Sequence, residues 1–255
     1  TETTQPAILT VSVAALRALE SRGVTCESAA GHSLGEYSAH VAAKTFEFED
    51  AVRAVRSRGR FMQEAVPVGE GAMAAIIGLE VEQVESICRE AEEDRVLGPA
   101  NLNGPGQVVI AGHADAVHRA VEAASAAGAK RAIPLAVSAP FHCALMEPAA
   151  RRLVPVLQEI DFSDPEVPVF VNVDAAAVDS GDAARDALIR QVASPVRWQE
   201  LITAMAASGI DTLVEIGPGR VLSGLARRID RSLTTLAVSD PAGVEKAAAA
   251  LGGRT

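Results

Sequence analysis

The chain of 255 residues carries 33 acidic against 23 basic side chains, a formal net charge of −10, and is 49% hydrophobic, enough apolar material for one sizeable core or two unequal ones. That charge repels phosphate, and 6 Phe, 1 Tyr and 1 Trp offer few stacking platforms, so the composition argues against whole-surface nucleic-acid binding. Three scattered cysteines, Cys26, Cys88 and Cys143, fit neither a disulfide framework nor a four-cysteine zinc site and point to a reducing, cytoplasmic setting, while no apolar run reaches the roughly 18 residues of a membrane span and no signal-peptide layout is present.

Residues 5–19 carry apolar side chains at helical spacing, and Gly23 closes that segment. Residues 24–30 read as a strand, 37–43 as a second helix, and 49–65 as a third, with Arg53, Arg56, Arg58 and Arg60 interleaved among Val52, Val55, Phe61 and Met62 before Pro67 and Gly69 end it. A strand at 71–78, a helix at 81–92, strands at 95–101 and 107–111, a helix at 114–127 and a strand at 130–137 follow. That order is the split βαβ, or ferredoxin-like, arrangement. Helix 147–159, strand 167–173, helices 182–193 and 199–208, strand 211–216 and helix 219–230 alternate as in a parallel sheet flanked by helices. An Ala/Gly-rich tail follows Pro241. The expected fold is therefore α/β: a discontinuous parallel-sheet domain, residues 1–68 and 138–255, interrupted by a ferredoxin-like α+β subdomain over 69–137.

Gly31-His32-Ser33-Leu34-Gly35 fits Gly-x-Ser-x-Gly between a strand and a helix, the context of a nucleophile elbow. In such a turn a Cβ on either glycine is expected to clash, the serine hydroxyl is lifted clear, and the Leu34 N–H at the new helix's start can hold an oxyanion. The pattern also occurs in ordinary tight turns, so the serine needs a base nearby. Of the five histidines, His32 leaves the turn in another direction and would support the elbow. His40 lies on the second helix, and His113 and His118 read as solvated. His142 follows an apolar strand and a Pro140-Phe141 break, in a loop where catalytic bases sit. Cys143 beside it points the opposite way in an extended segment and reads as a small buried hydrophobe. Helical spacing allows at most one or two of the four arginines on 49–65 to face inward. An inward one, in a dry cleft, would form a bidentate pair with a carboxylate.

These residues resemble the malonyl-CoA:acyl carrier protein transacylases of fatty acid synthesis and the related acyltransferase domains of polyketide synthases. The resemblance runs through Thr4-Gln5-Pro6-Ala7, Gly31 to Ala39, Arg58 to Gln63, Asn101 to Gly112, Phe141 to Met146, Ser194 to Trp198 and Glu215-Ile216-Gly217-Pro218-Gly219, nearly the whole chain. It implies a hydrolase-like domain with a ferredoxin-like insert. It implies Ser33 as the acylated nucleophile, His142 as its base, and Gln191 as the residue whose backbone carbonyl orients that base in place of an acidic side chain. Leu34 N–H would hold the oxyanion and Arg58 the free carboxylate of the malonyl group. Asn101 and Asn103 would line the cleft, and Phe141, by its bulk, would disfavour an α-methyl group.

The implied reaction moves malonyl from malonyl-CoA to the phosphopantetheine thiol of acyl carrier protein through a malonyl-serine ester, in fatty acid biosynthesis. It uses no cofactor and no metal, and the resemblance implies a monomer. Because acyl carrier proteins are themselves acidic, a local basic rim is expected, first at Arg227 and Arg228, then at Lys130-Arg131 or Arg151-Arg152. The resemblance breaks at the N-terminus, where nothing in residues 1–6 matches the family's first strand and Gly-Gln-Gly-type loop. The chain is thus expected to be short by that strand and by half of the oxyanion hole. Lys44 stands where the family more often has glycine. The rival readings are a serine thioesterase or hydrolase, which needs a carboxylate near His142 and has no use for Arg58, a polyketide-pathway acyltransferase, and a non-catalytic acyl-binding module.

Overall fold

The computed structural model describes residues 1–137 and 139–252. The expected domain boundary at 138 and the chain end at 253–255 lie outside the described residues.

Helix α1 (Thr4–Glu20) buries Gln5, Leu9 and Val13 on one stripe, positions four apart that share a helix face. Gly23, at φ +76°, turns the chain out of it. The strand expected over 24–30 shrinks to β1 (Ala29–Ala30), because only Ala29 and Ala30 find partners, in parallel register with Val169 and Phe170. Past the elbow come α2 (Gly35–Ala42) and α3 (Phe48–Glu64). The first ends in a Schellman motif: Thr45 N–H donates to the His40 carbonyl and Lys44 N–H to that of Val41, with Lys44 left-handed at φ +56°.

The middle of the chain forms β2 (Gly71–Ile77), α4 (Val81–Glu92), β3 (Leu97–Gly104), β4 (Gln107–His113), α5 (Ala114–Ala126) and β5 (Arg131–Pro134). The sheet order is β3-β4-β2-β5 with every neighbour antiparallel. Strand alternation sends Ala74, Ile76, Val108 and Ile110 toward Val84, Cys88 and Val117 of the two helices. Met73, Val109 and Ala111 face the other way and pack with Cys143 and Phe141. One face of this sheet therefore backs the loop that carries His142. His113 is less solvated than its sequence context suggested, since its Nδ1 accepts the Val96 N–H at 2.9 Å.

The remainder comprises α6 (Glu147–Gln158), β6 (Val169–Val171), β7 (Ala176–Val178), α7 (Gly181–Gln191), α8 (Trp198–Ala207), β8 (Thr212–Ile216), α9 (Val221–Ile229), β9 (Thr234–Val238) and α10 (Pro241–Ala250). The expected parallel sheet is found in two pieces. β1 and β6 are parallel but β7 returns antiparallel to β6, and β8 pairs in parallel with β9 alone. The Ala-rich stretch after Pro241 is a helix rather than a tail. The Asp240 side chain caps it through the Gly243 N–H, Pro241 stands in its first turn, and Val244, Ala247 and Val238 close over Leu19. Glu215, on β8, accepts from the N–H groups of Leu222 and Ser223 at 2.9 and 2.7 Å and so caps α9.

Candidate active site

The elbow is a strained turn. Ser33 has φ +52° and His142 φ +60°, both in the left-handed region that L residues occupy only when their surroundings hold them there. A Cβ on Gly31 would stand 1.9 Å from the Gly35 carbonyl carbon, so glycine is required there. Gly35 corrects the expectation of a matching clash, for a Cβ on it would meet nothing within 4 Å. Its place in the first turn of α2 leaves that side of the residue open.

Ser33 Oγ lies 2.6 Å from His142 Nε2, and His142 Nδ1 lies 3.0 Å from the Gln191 main-chain oxygen. With Nδ1 donating to that carbonyl, Nε2 is left as the acceptor of the serine proton. Burial, and after it the charge of Arg58, pushes His142 down to about 3, so the imidazole is neutral at physiological pH. Cys143 is buried and its thiol donates to the Pro140 carbonyl at 3.1 Å. Burial pushes its pKa up to about 11, which keeps it an inert thiol.

Of the four arginines on α3, Arg58 alone turns inward. It is 2% exposed, while Arg53, Arg56 and Arg60 are solvated. Its Nη1 donates to Gln5 Oε1 at 2.7 Å, and its Nη2 to Gln191 Oε1 at 2.9 Å and to Ser33 Oγ at 3.0 Å. Nε, equally buried, has no partner. Among the described residues no carboxylate forms a direct ion pair with this cation. Its first contacts are neutral amides and the serine hydroxyl, and burial lowers its pKa.

Leu34 is the N-cap residue of α2. Phe141 packs beside Met73, Val109 and Cys143. Asn103 Oδ1 lies 2.8 Å from Nε2 of His32, the residue next to the nucleophile in sequence. Asn101 is buried, and its strand is extended at the edge by Val196, whose N–H and carbonyl pair with Ala100 and Leu102. The structure thus joins Ser33, His142, Gln191 and Arg58 in direct contact, with Asn103 one residue removed through His32.

Three participants were not read from the sequence as site residues. Gln5 reaches Arg58 from α1, and its signal was a polar residue in the stripe Gln5, Leu9, Val13. Asn172 accepts the Ser33 N–H at 2.6 Å and donates to the Gly31 carbonyl at 2.7 Å. Its signal was a polar residue at the C-terminal end of an apolar strand parallel to β1, where α/β folds gather their functional groups. Glu36, fully buried in the first turn of α2, accepts the Asn172 N–H at 2.7 Å, and burial pushes its carboxyl up to about 7. Among the described residues no cluster of His, Cys, Asp and Glu is placed to hold a metal ion, and no helix is long and apolar enough to cross a membrane.

Residues 1–244 match the model of the acyl transferase domain family. The malonyl CoA-acyl carrier protein transacylase of Escherichia coli strain K12 is 54% identical over 245 residues, spanning 96% of this chain and 79% of that protein. The Bacillus subtilis strain 168 protein of the same name is 51% identical over 244 residues, spanning 95% and 77%. Among solved structures, the malonyl CoA-acyl carrier protein transacylase of Coxiella burnetii superposes with a TM-score of 0.96 at 47% identity, covering 98% of this chain and 80% of that one. A malonyl-transacylase in complex with its type II polyketide synthase acyl-carrier protein superposes at 0.95 with 51% identity, covering 97% and 80%.

Proposed function

The chain belongs to the malonyl CoA-acyl carrier protein transacylases of the acyl transferase domain family, and from that premise we propose how its residues divide the transfer of malonyl from malonyl-CoA to acyl carrier protein. The observation that carries the reading is a single oxygen. Ser33 Oγ lies 2.6 Å from the imidazole of His142 and 3.0 Å from the buried guanidinium of Arg58. A base on one side and a cation on the other suit an acyl group whose carboxylate stands one methylene from its thioester.

Ser33 attacks the thioester carbonyl while His142 Nε2 takes the hydroxyl proton. The Leu34 N–H, at the positive end of α2, faces the developing oxyanion. The C–S bond then breaks and His142 returns the proton to the departing CoA thiolate. In the second half-reaction the phosphopantetheine thiol of the carrier gives its proton to His142 and attacks malonyl-Ser33. The C–O bond breaks and the proton passes back to Ser33. This sequence needs the serine, the histidine and the two substrates, and no further cofactor. A malonyl carboxylate on Arg58 also neutralises the charge that helps to depress His142, so the right substrate makes its own base stronger.

The Gln191 carbonyl stands where a hydrolase triad has a carboxylate, which supports transferase over hydrolase. Phe141, backed by Met73 and Val109 of the inserted sheet, is firm bulk against an α-methyl, a discrimination of about 1–3 kcal/mol. Asn103 acts through His32, and Asn101 lines the cleft beside it. We read residues 69–137 as a subdomain inserted into a hydrolase-like domain of 1–68 and 138–255, and the enzyme as a cytoplasmic monomer of fatty acid synthesis.

The test follows the acyl group. Labelled malonyl-CoA should leave covalent label on Ser33 that moves to added carrier protein, and Ser33→Ala should take up none. Release of free malonate alone would mean a hydrolase, and no adduct at all a binding module.

A further inference from the structure

The elbow holds its strained shape through contacts on both ends of one residue. The Ser33 N–H donates to Asn172 Oδ1 at 2.6 Å, and the Ser33 carbonyl accepts from Gln191 Nε2 at 3.1 Å as well as from the Glu36 N–H. Asn172 Nδ2 at the same time donates to the Gly31 carbonyl at 2.7 Å, so a single carboxamide spans the turn from its entry to its apex. Asn172 is fully buried, and its own backbone is fixed at both ends. Its N–H donates to Glu36 Oε2 at 2.7 Å and its carbonyl accepts from the Arg197 N–H at 3.1 Å.

In a trans peptide the carbonyl of one residue and the N–H of the next point in opposite directions. Fixing the Ser33 carbonyl inward therefore fixes the Leu34 N–H outward. We propose that Asn172 and the side chain of Gln191 form a two-point clamp on the Ser33 backbone whose task is to aim the Leu34 N–H at the oxyanion. The clamp rests on the reading of Ser33 as the acylated nucleophile, and both residues are positioning residues, for neither side chain touches the reacting carbonyl.

The chemistry accounts for both residue types. An aspartate at 172 could still accept the Ser33 N–H but has no donor for the Gly31 carbonyl, and it would set a second carboxylate beside Glu36. A leucine fills similar space and makes neither bond. At 191 the division of labour is cleaner, because the carbonyl that orients His142 belongs to the main chain and survives any substitution. Gln191→Met removes the amide alone, though with it go both the Ser33 carbonyl contact and the acceptor of Arg58 Nη2. Without the clamp only the Glu36 N–H still holds the Ser33 carbonyl, so Ser33 can relax from φ +52° toward an unstrained conformation, and the Leu34 N–H turns with it.

The experiment measures single-turnover acylation of the full chain by malonyl-CoA, followed by intact mass, with Kd for CoA and for a trifluoromethyl ketone analogue of malonyl-CoA whose tetrahedral adduct places an oxyanion in the hole. Removal of an oxyanion donor elsewhere lowers kcat by about 10²–10³. Asn172→Leu and Gln191→Met should approach that loss, and Asn172→Asp should lose roughly tenfold. Kd for CoA should stay within about threefold in all three variants, and KM for malonyl-CoA in the two Asn172 variants, whose position has no bond to Arg58, while affinity for the ketone falls in step with kcat, as transition-state complementarity requires. A merely structural role would weaken CoA and ketone alike, and that result overturns the proposal. So does wild-type acylation by Asn172→Asp, which decides the matter even if Asn172→Leu fails to show a cooperative thermal transition. Ser33→Ala is the separate control: malonyl retained by that variant would remove the nucleophile reading itself, whatever the clamp variants do.

Discussion

A guanidinium buried against neutral amides is an unstable arrangement on its own, since a charge out of water is stabilised chiefly by a counter-charge. Arg58 approaches that condition: Gln5 and Gln191 stand in for a directly bound carboxylate, and the buried Glu36 carboxyl, its own ionisation disfavoured by burial, compensates it only without a direct bond. In the proposed mechanism the carboxylate comes with the substrate. Leaving such a charge unpaired is penalised by about 3–5 kcal/mol in broken buried pairs, so acetyl-CoA should be rejected by roughly two to three orders of magnitude. Arg58→Met is expected to lose that factor in kcat/KM for malonyl-CoA while acetyl-CoA is little changed, and to melt a few degrees higher than the wild type. Retained malonyl preference in competition assays would remove Arg58 from the role. Glu36 makes a second test at this scale. Its carboxyl, held by burial at about 7 against an ordinary 4.5, binds a proton more tightly folded than unfolded. The stability this confers is complete below about pH 4.5 and is lost as pH rises through about 7, an effect on the order of 3 kcal/mol. Glu36→Gln should flatten that decline in thermal scans from pH 4.5 to 8.5 and be the more stable protein at the alkaline end. An unchanged slope would assign the decline to other groups. Ser33 and His142 were legible in the sequence because each sits in a short run whose residue types have a local reason. Gln5 and Asn172 were not, because their importance arises only when α1 and β6 are brought to the elbow.

At the scale of elements, α2 shows how a helix end can be non-ideal and still work. Its Schellman motif puts Lys44 at φ +56°, where a Cβ crowds the backbone and glycine is favoured. The glycine that the family resemblance leads one to expect at this place is thus explained by backbone sterics. The Lys44–Glu166 ion pair at 2.7 Å is exposed on both sides and offsets little of the strain. Lys44→Gly should raise Tm by roughly 2 °C with unchanged acylation, because the motif stands at the far end of α2 from Ser33. A fall in Tm would mean that the ion pair, not the backbone, governs this corner. The same local logic explains which elements the sequence disclosed. Amphipathic helices such as α3 carry their periodicity within themselves, and the apolar runs of β2 and β4 mark strands buried on both faces. β1, with two paired residues, and β7, with three, are strands by virtue of a neighbour, and their alanines have little pattern to display. α10 was hidden for a related reason: an alanine run resembles low complexity until Leu19 and Val238 give it a surface to cover.

For the whole molecule the difficulty is charge, because a protein of net charge −10 must receive CoA and then a carrier that is acidic as well. Net repulsion slows encounter unless positive potential is concentrated where the partner lands. The candidate basic pairs differ in how much of their charge is already spent. Arg151 and Arg152 face Glu147 and Glu64, whereas among the described residues Arg227 and Arg228 form no ion pair. Arg228 instead donates to Gln107 at the turn between β3 and β4, and Ile229 lies 3.4 Å from where a Cβ of Gly104 would stand. The end of α9 is therefore seated on the strand that carries Asn103 and, through it, His32 beside the elbow, while Glu215 fixes the other end of the same helix. We propose that this pair, with Arg228 anchored against the neighbouring strand, is where a carrier presenting its phosphopantetheine arm rests. Arg227→Glu with Arg228→Glu should raise KM for the carrier roughly tenfold at low salt and leave acylation of Ser33 by malonyl-CoA intact. The difference should shrink as ionic strength brings the screening length down from about 10 Å at 0.1 M to about 3 Å at 1 M. Equal KM values at low salt, or a defect that salt does not relieve, would move the docking surface away from α9. A parallel loss in the malonyl-CoA half-reaction would instead make this pair a CoA phosphate site, since only the first half-reaction meets the nucleotide.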